Sequence, residues 1–188
     1  MRISRFEIEN TLLAGLKVIQ REPIEDARGF FCRFFCAEEL EHAGFRKSIA
    51  QINHTRTHKI GAVRGLHFQY PPNSEMKIVS CLRGEVIDVA VDIRHGSPTF
   101  LQWHSQILSD KNFTSLLIPE GFAHGYQALS SDCELIYLHS EIYEPASVGA
   151  LNVKDPKIGI FWPIEITDIS ERDINHPMID DTYGGILL

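Results

Sequence analysis

The feature that most constrains this chain is its punctuation. Between residues 50 and 143 short stretches of alternating apolar and polar residues recur, each closed by turn formers before a helix-length segment can build. Residues 51–57, 62–70, 77–82, 85–93, 105–108, 115–119, 125–129 and 134–143 read as strands. They are separated by Pro71-Pro72, Arg83-Gly84, His95-Gly96-Ser97-Pro98 and Ser130-Ser131-Asp132. A parallel α/β sheet would need long helices between strands. Only residues 37–43 read as helical, with Glu38, Glu39 and Glu41 around Leu40 and Gly44 as the stop. The expectation is an all-β sandwich or barrel with a few short helices, in one domain spanning residues 1–188. The Tyr183-Gly184-Gly185 stretch is expected to be a loose tail.

Composition excludes several classes of function. The net charge is −7 and the basic residues are scattered, so no nucleic-acid partner is expected. Apolar runs stay well short of the roughly 20 residues that cross a bilayer, and no membrane partner is expected. Residues 1–10 mix charged and apolar side chains without a secretory pattern, which points to the cytoplasm. Cys32, Cys36, Cys81 and Cys133 form no C-x-x-C pair and are expected reduced and mostly buried.

Side chains two apart on a strand share a face. Four rows result: Val63, Gly65, His67, Gln69; Leu135, Tyr137, His139, Glu141, Tyr143; Gln51, Asn53, Thr55, Thr57; and Lys77, Val79, Cys81. Rows that mix ionisable, polar and aromatic residues suit a barrel interior around a small ligand, but alternation alone equally allows a solvent-facing sheet surface. The isolated His42, His58, His95, His104 and His176 read as surface or structural histidines. Asp88 and Asp92 read as a solvated face or as structural hydrogen-bonders.

The segment Pro119-Glu120-Gly121-Phe122-Ala123-His124 resembles the second motif of the cupins. A metal-binding cupin would also need an H-x-H pair with a following carboxylate. Here His67 is followed by Phe68 and Gln69, and Glu75 is the only nearby carboxylate. No metal and no cofactor are expected.

The fragments Asp26-Ala27-Arg28-Gly29-Phe30-Phe31, Gln51-Ile52-Asn53 and Val63-Arg64-Gly65-Leu66-His67-Phe68-Gln69 come in a telling order. After them come Lys77, residues 83–94, Gly96-Ser97-Pro98-Thr99-Phe100, residues 118–125, Tyr137, Tyr143, Asp155-Pro156, residues 159–163 and Ser170-Glu171-Arg172-Asp173. In order and spacing, over nearly the whole chain, they resemble the dTDP-4-dehydrorhamnose 3,5-epimerase family. The resemblance implies a cupin-type jelly-roll barrel, a homodimer, and a nucleotide-linked 4-keto-6-deoxyhexose as substrate. It implies His67 as catalytic base, Asp173 as the carboxylate that holds it, Tyr137 as acid and Lys77 as the cation at the ketone oxygen. Arg28, Phe31, Gln51, Asn53, Arg64, His124, Tyr143 and Arg172 match positions that line the nucleotide and sugar site. Two departures stand out. Arg33 occupies a place where the family typically has Glu near the nucleotide, which leaves the nucleotide open. Thr55 and Thr57 stand where Ser is common. Strict alternation puts Arg64 opposite His67 unless Gly65 allows a bulge.

The implied chemistry explains the residue types. Protons at C3 and C5 of a 4-keto sugar are acidified by the ketone, so the substrate supplies its own electron sink. A neutral imidazole suits their removal, a carboxylate fixes its tautomer, an ammonium meets the enolate, and a phenol can return a proton to the other face. Inversion at one carbon only, a binding cupin without catalysis, and a metal-dependent oxygenase are the alternatives. The pairing of His67 with Tyr137 disfavours the second, and the missing H-x-H disfavours the third.

Overall fold

A computed structural model describes residues 4–188. Its strands are β1 (Phe6–Asn10), β2 (Lys17–Arg21), β3 (Pro23–Asp26), β4 (Gly29–Cys32), β5 (Gln51–Thr57), β6 (Val63–Gln69), β7 (Lys77–Arg83), β8 (Glu85–Asp92), β9 (Trp103–Ser109), β10 (Thr114–Ile118), β11 (Phe122–Ala128), β12 (Cys133–His139) and β13 (Val148–Ala150). Helices α1 (Ala37–Ala43) and α2 (Glu171–Ile174) and a 3-10 turn at Pro145–Ser147 complete the regular structure of the described residues. One sheet runs β1-β2-β10-β7-β12-β5, the other β13-β6-β11-β8-β9, and β3-β4 form a separate hairpin. All of these pairings are antiparallel, giving a jelly-roll of two sheets.

Three apolar clusters explain why the sheets stack. Leu116 and Leu135 from the first sheet meet Val86, Ala90 and Phe122 from the second between the layers. The outer face of the six-stranded sheet, with Ile19, Ile78, Leu117 and Leu138, is covered by Leu40 and Ala43 of α1 and by Phe45. The outer face of the five-stranded sheet, with Val63, Leu66, Val89 and Val91, is covered by Leu151, Val153, Ile158, Ile179 and Ile186 from the C-terminal segment. Burying both faces is the main source of stability.

This double covering decides one open reading and corrects one expectation. Strand β8 is buried from Asp88 onward, and Asp88 and Asp92 are both fully buried. Asp92 is a structural hydrogen-bonder, pairing with Arg94 Nη2 at 2.7 Å and accepting from the hydroxyls of Ser97 and Thr99 at 2.6 Å each, which ties down the following turn. Burial alone would raise its pKa, but these donors bring it to about 2. Nor is the Tyr183-Gly184-Gly185 stretch loose. Ile186 pairs with the backbone beside Arg94, exchanging 2.8 Å bonds with Ile93 O and His95 N, while the Tyr183 ring stacks on Phe100. Gly185 is needed there, because a Cβ would lie 2.4 Å from Ile93 O.

Strand β12 ends at His139, short of the expected 143, because Ser140 N turns to Met76 O. All four cysteines are free, Cys81 and Cys133 buried and Cys32 and Cys36 half-buried. Burial pushes the Cys81 thiol up to about 12.

The backbone device that shapes the site lies in β6. His67 pairs with His124, yet Arg64 pairs with Tyr126, so β6 carries one extra residue there, a bulge. Arg64 and His67 therefore face the same side, and Val63 turns outward into the covered cluster instead of sharing a row with His67. Gly65, at φ +134°, allows this: a Cβ would sit 2.5 Å from Gly125 Cα. Gly65→Ala is expected to destabilise the fold by about 2 kcal/mol or more. An unchanged urea midpoint would contradict this close approach.

Candidate active site

A cavity of about 710 Å³ opens between the two sheets at one end of the sandwich. The five-stranded sheet contributes Arg64, His67 and Gln69 from β6 and His124 and Tyr126 from β11. The six-stranded sheet contributes Asn53, Thr55 and Thr57 from β5, Lys77 from β7, and Tyr137 and His139 from β12. Tyr143, Arg172 and Asp173 close its rim. The mixed rows thus supply most of a shared interior, while the alternates Ile52 and His54 face water and the exposed Arg56 stands at the cavity edge.

His67 Nε2 lies 2.8 Å from Asp173 Oδ1. Asp173 arrives from a distant segment because Ser170 caps α2, its hydroxyl accepting Asp173 N–H at 3.0 Å. Burial would raise the Asp173 pKa, but His67, the Gly65 N–H and Arg172 outweigh it and hold the carboxyl at about 2. An ionised carboxylate at Oδ1 makes Nε2 the protonated nitrogen, leaving the lone pair on Nδ1 as the free basic atom. Arg172 Nη2, 3.1 Å from the same Nε2, is therefore a neighbouring charge and not a second donor to it.

Tyr137 is buried beside the ring of His124, at 6.0 Å between centroids, and stacked on that of His139 at 5.9 Å and 17°. Burial, then Tyr126 and the Asp88 carboxylate, push its pKa well above the usual phenol value, so it is a protonated phenol at neutral pH. Thr57 Oγ1 bridges Tyr126 OH at 2.7 Å and Arg64 Nε at 3.0 Å. Thr55 Oγ1 is buried beside the Tyr137 phenol.

Lys77 Nζ lies 2.8 Å from Glu75 Oε1, with both side chains largely withdrawn from water. Glu75 Oε2 takes His139 Nδ1–H at 2.7 Å, and Asn53 Nδ2 reaches His139 Nε2 at 3.3 Å. Gln51 is outside the cavity lining but supports it, donating to Asn53 Oδ1 at 2.9 Å and accepting Tyr143 N–H at 3.0 Å. His124 Nε2 pairs with Asp88 Oδ1 at 2.8 Å, so Asp88 is a site-supporting group.

Of the residues singled out in the sequence, His67, Asp173, Tyr137, Lys77, Asn53, Arg64, His124, Tyr143 and Arg172 come together around this cavity. Arg28 and Phe31 do not: they sit on the β3-β4 hairpin, away from the cavity of their own chain, with Phe31 70% exposed. Arg33 is half-buried and ion-paired with Glu39 of α1. Sequence reading missed Glu75, His139 and Asp88 as site residues. His139 was legible only as a member of the Tyr137 row, and Asp88 looked like any strand carboxylate.

His42, His58 and His95 are exposed, as expected, whereas His176 stands near the site. Donor atoms of His67, Asp173 and His176 lie within 4.8 Å of one another. The Arg172 guanidinium stands 3.2 Å from Asp173 Oδ1. A fixed positive charge against the same atoms makes the set a poor cation site.

The sequence model of one family, dTDP-4-dehydrorhamnose 3,5-epimerase, matches residues 10–181. The chain belongs to this family. Among epimerases of this family, the Shigella flexneri protein is 40% identical over 185 residues, covering 97% of this chain and 99% of its own. A crystal structure of the Legionella pneumophila dTDP-6-deoxy-D-glucose-3,5-epimerase, in complex with dTDP-4-keto-L-rhamnose, is 41% identical. It superposes with a TM-score of 0.85 over 89% of each chain. A 3'-monoepimerase from Streptomyces bikiniensis, in complex with dTDP-quinovose, is 33% identical, with a TM-score of 0.83 over 89% of this chain and 85% of its own. The epimerase family is an isomerase family with a cupin-type barrel, and among the described residues no helix is long and apolar enough to cross a membrane.

Proposed function

We propose that this chain, acting as a single domain, epimerises a nucleotide-linked 4-keto-6-deoxyhexose at C3 and C5, taking dTDP-4-dehydro-6-deoxy-D-glucose to dTDP-4-dehydro-L-rhamnose. One observation carries the reading: a carboxylate-held imidazole on one sheet and a protonated phenol on the other line one cavity.

In this scheme His67 Nδ1 removes the proton beside the ketone, and Asp173 stabilises the imidazolium that forms. Negative charge runs onto the ketone oxygen, where the Lys77 ammonium meets it. A well-aimed donor of this kind is worth about 3–4 kcal/mol. Tyr137 delivers a proton to the opposite face, inverting the carbon. His67, about a third exposed, then returns its proton to water, and the Tyr137 phenolate takes one up through the open cavity, before the second inversion. Asn53, Arg64, His124, Tyr143 and Arg172 hold the nucleotide and sugar, with Gln51 behind Asn53. No step needs a metal or coenzyme.

A homodimer fits the hairpin. Phe30 and Phe31 are 60% and 70% exposed, and the hairpin joins neither large sheet. In a dimer this arm would carry Arg28 and Phe31 to the cavity of the partner copy. Free cysteines suit the cytoplasm. Inversion at one carbon is the second reading, supported by the likeness to the Streptomyces monoepimerase.

The test is incubation with dTDP-4-keto-6-deoxyglucose in D₂O, followed by NMR. Deuterium at both C3 and C5 is expected. Label at one carbon selects the second reading. Label only with a uridine-linked sugar assigns the change to Arg33, and none with either overturns the proposal.

A further inference from the structure

A carboxylate next to the cation meant to stabilise an enolate should weaken it. Glu75 is nonetheless ionised and buried 2.8 Å from Lys77, and its burial costs desolvation energy that only well-made contacts return. Its geometry explains its presence. Lys77 has a flexible four-carbon stem and three donors. Among the described residues its ammonium bonds only Glu75, which leaves two N–H groups for the cavity it lines. Glu75 is in turn oriented by His139 Nδ1–H, and His139 by the Asn53 amide at Nε2, so each ring nitrogen has a distinct partner. The same imidazole backs the ring of Tyr137 in parallel stacking. One continuous set of contacts thus runs from the enolate-facing cation to the acid.

We infer that Glu75 and His139 are positioning residues for the epimerisation: Glu75 aims the Lys77 ammonium at the ketone oxygen, and His139 locks Glu75 while seating the Tyr137 ring. The inference rests on the epimerase reading of the cavity. Both side chains reach the cavity wall, and the role assigned to each is exerted through its neighbour, Lys77 for Glu75 and Tyr137 for His139. Oxyanion stabilisation depends on donors fixed before the reaction, so removing Glu75 leaves the charge of Lys77 in place and its direction lost.

The test is a double-mutant cycle on kcat, using Glu75→Ala and Lys77→Met alone and together, with Glu75→Gln in parallel should the alanine variant fold poorly. Residues that orient a working group typically cost about 10–100-fold when removed. Glu75→Ala is expected to lower kcat by about that factor with little change in KM, but by less than about 3-fold when Lys77 is already Met. His139→Ala is expected to lower kcat in the same direction by a smaller factor. An equal loss from Glu75 removal in both backgrounds, or no loss in either, overturns the inference. A wild-type chain that incorporates no deuterium from D₂O would instead fail the epimerase reading itself.

Discussion

His67→Asn abolishes deuterium entry at both carbons, with kcat falling by about 10²–10⁴-fold, the usual worth of a positioned general base. Asparagine fills part of the imidazole volume and offers an amide N–H to Asp173, so the buried carboxylate keeps a partner and the fold is retained. What disappears is the lone pair at Nδ1. Because proton removal precedes both inversions, exchange at C3 and at C5 must fail together. The check is NMR of the sugar in D₂O beside a thermal unfolding curve. Normal exchange in a folded His67→Asn protein would mean that another group is the base.

Tyr137→Phe has a different signature. It removes one hydroxyl, keeps the ring stacked on His139 and edge-on to His124, and leaves His67, Asp173 and Lys77 untouched. The enolate still forms, so deuterium still enters on the base's own face. Net inversion falls by about 10²–10⁴-fold, the range for a lost general acid. Exchange without inversion separates the two walls of the cavity. Equal loss of exchange and inversion would place the phenol on the proton-removal side.

Much of the fold was legible because strands and turns alternate in residues 50–143, and β5 is found with the expected bounds. The N-terminal strands β1 to β4 were not legible, since their short runs carry no regular punctuation. For Asp88 and Asp92 the sequence left a solvated face and a structural hydrogen-bonder both open, because alternation assigns faces without saying how many are covered, and β8 packs against both clusters. The register around Arg64 depended on a backbone property of Gly65 that side-chain patterning cannot reveal, and the bulge settles it. The His67–Asp173 pair links β6 to α2 across 106 positions and came from resemblance, not spacing. Glu75 and His139 were visible in the sequence, as a lone carboxylate and as a member of the Tyr137 row, but their roles were not. Their meaning lies in contacts with Lys77 and Tyr137 across neighbouring strands, and a single sequence does not list those contacts.

Inversion by a base on one wall and an acid on the other is best tested in a single turnover in D₂O, with enzyme in excess over protiated substrate. The hydroxyl of Tyr137 carries deuterium before substrate arrives, so every inverted carbon in the first product formed should hold deuterium. Protium retained at an inverted carbon would mean that one group removes and returns the same proton, and the two-wall account would be wrong.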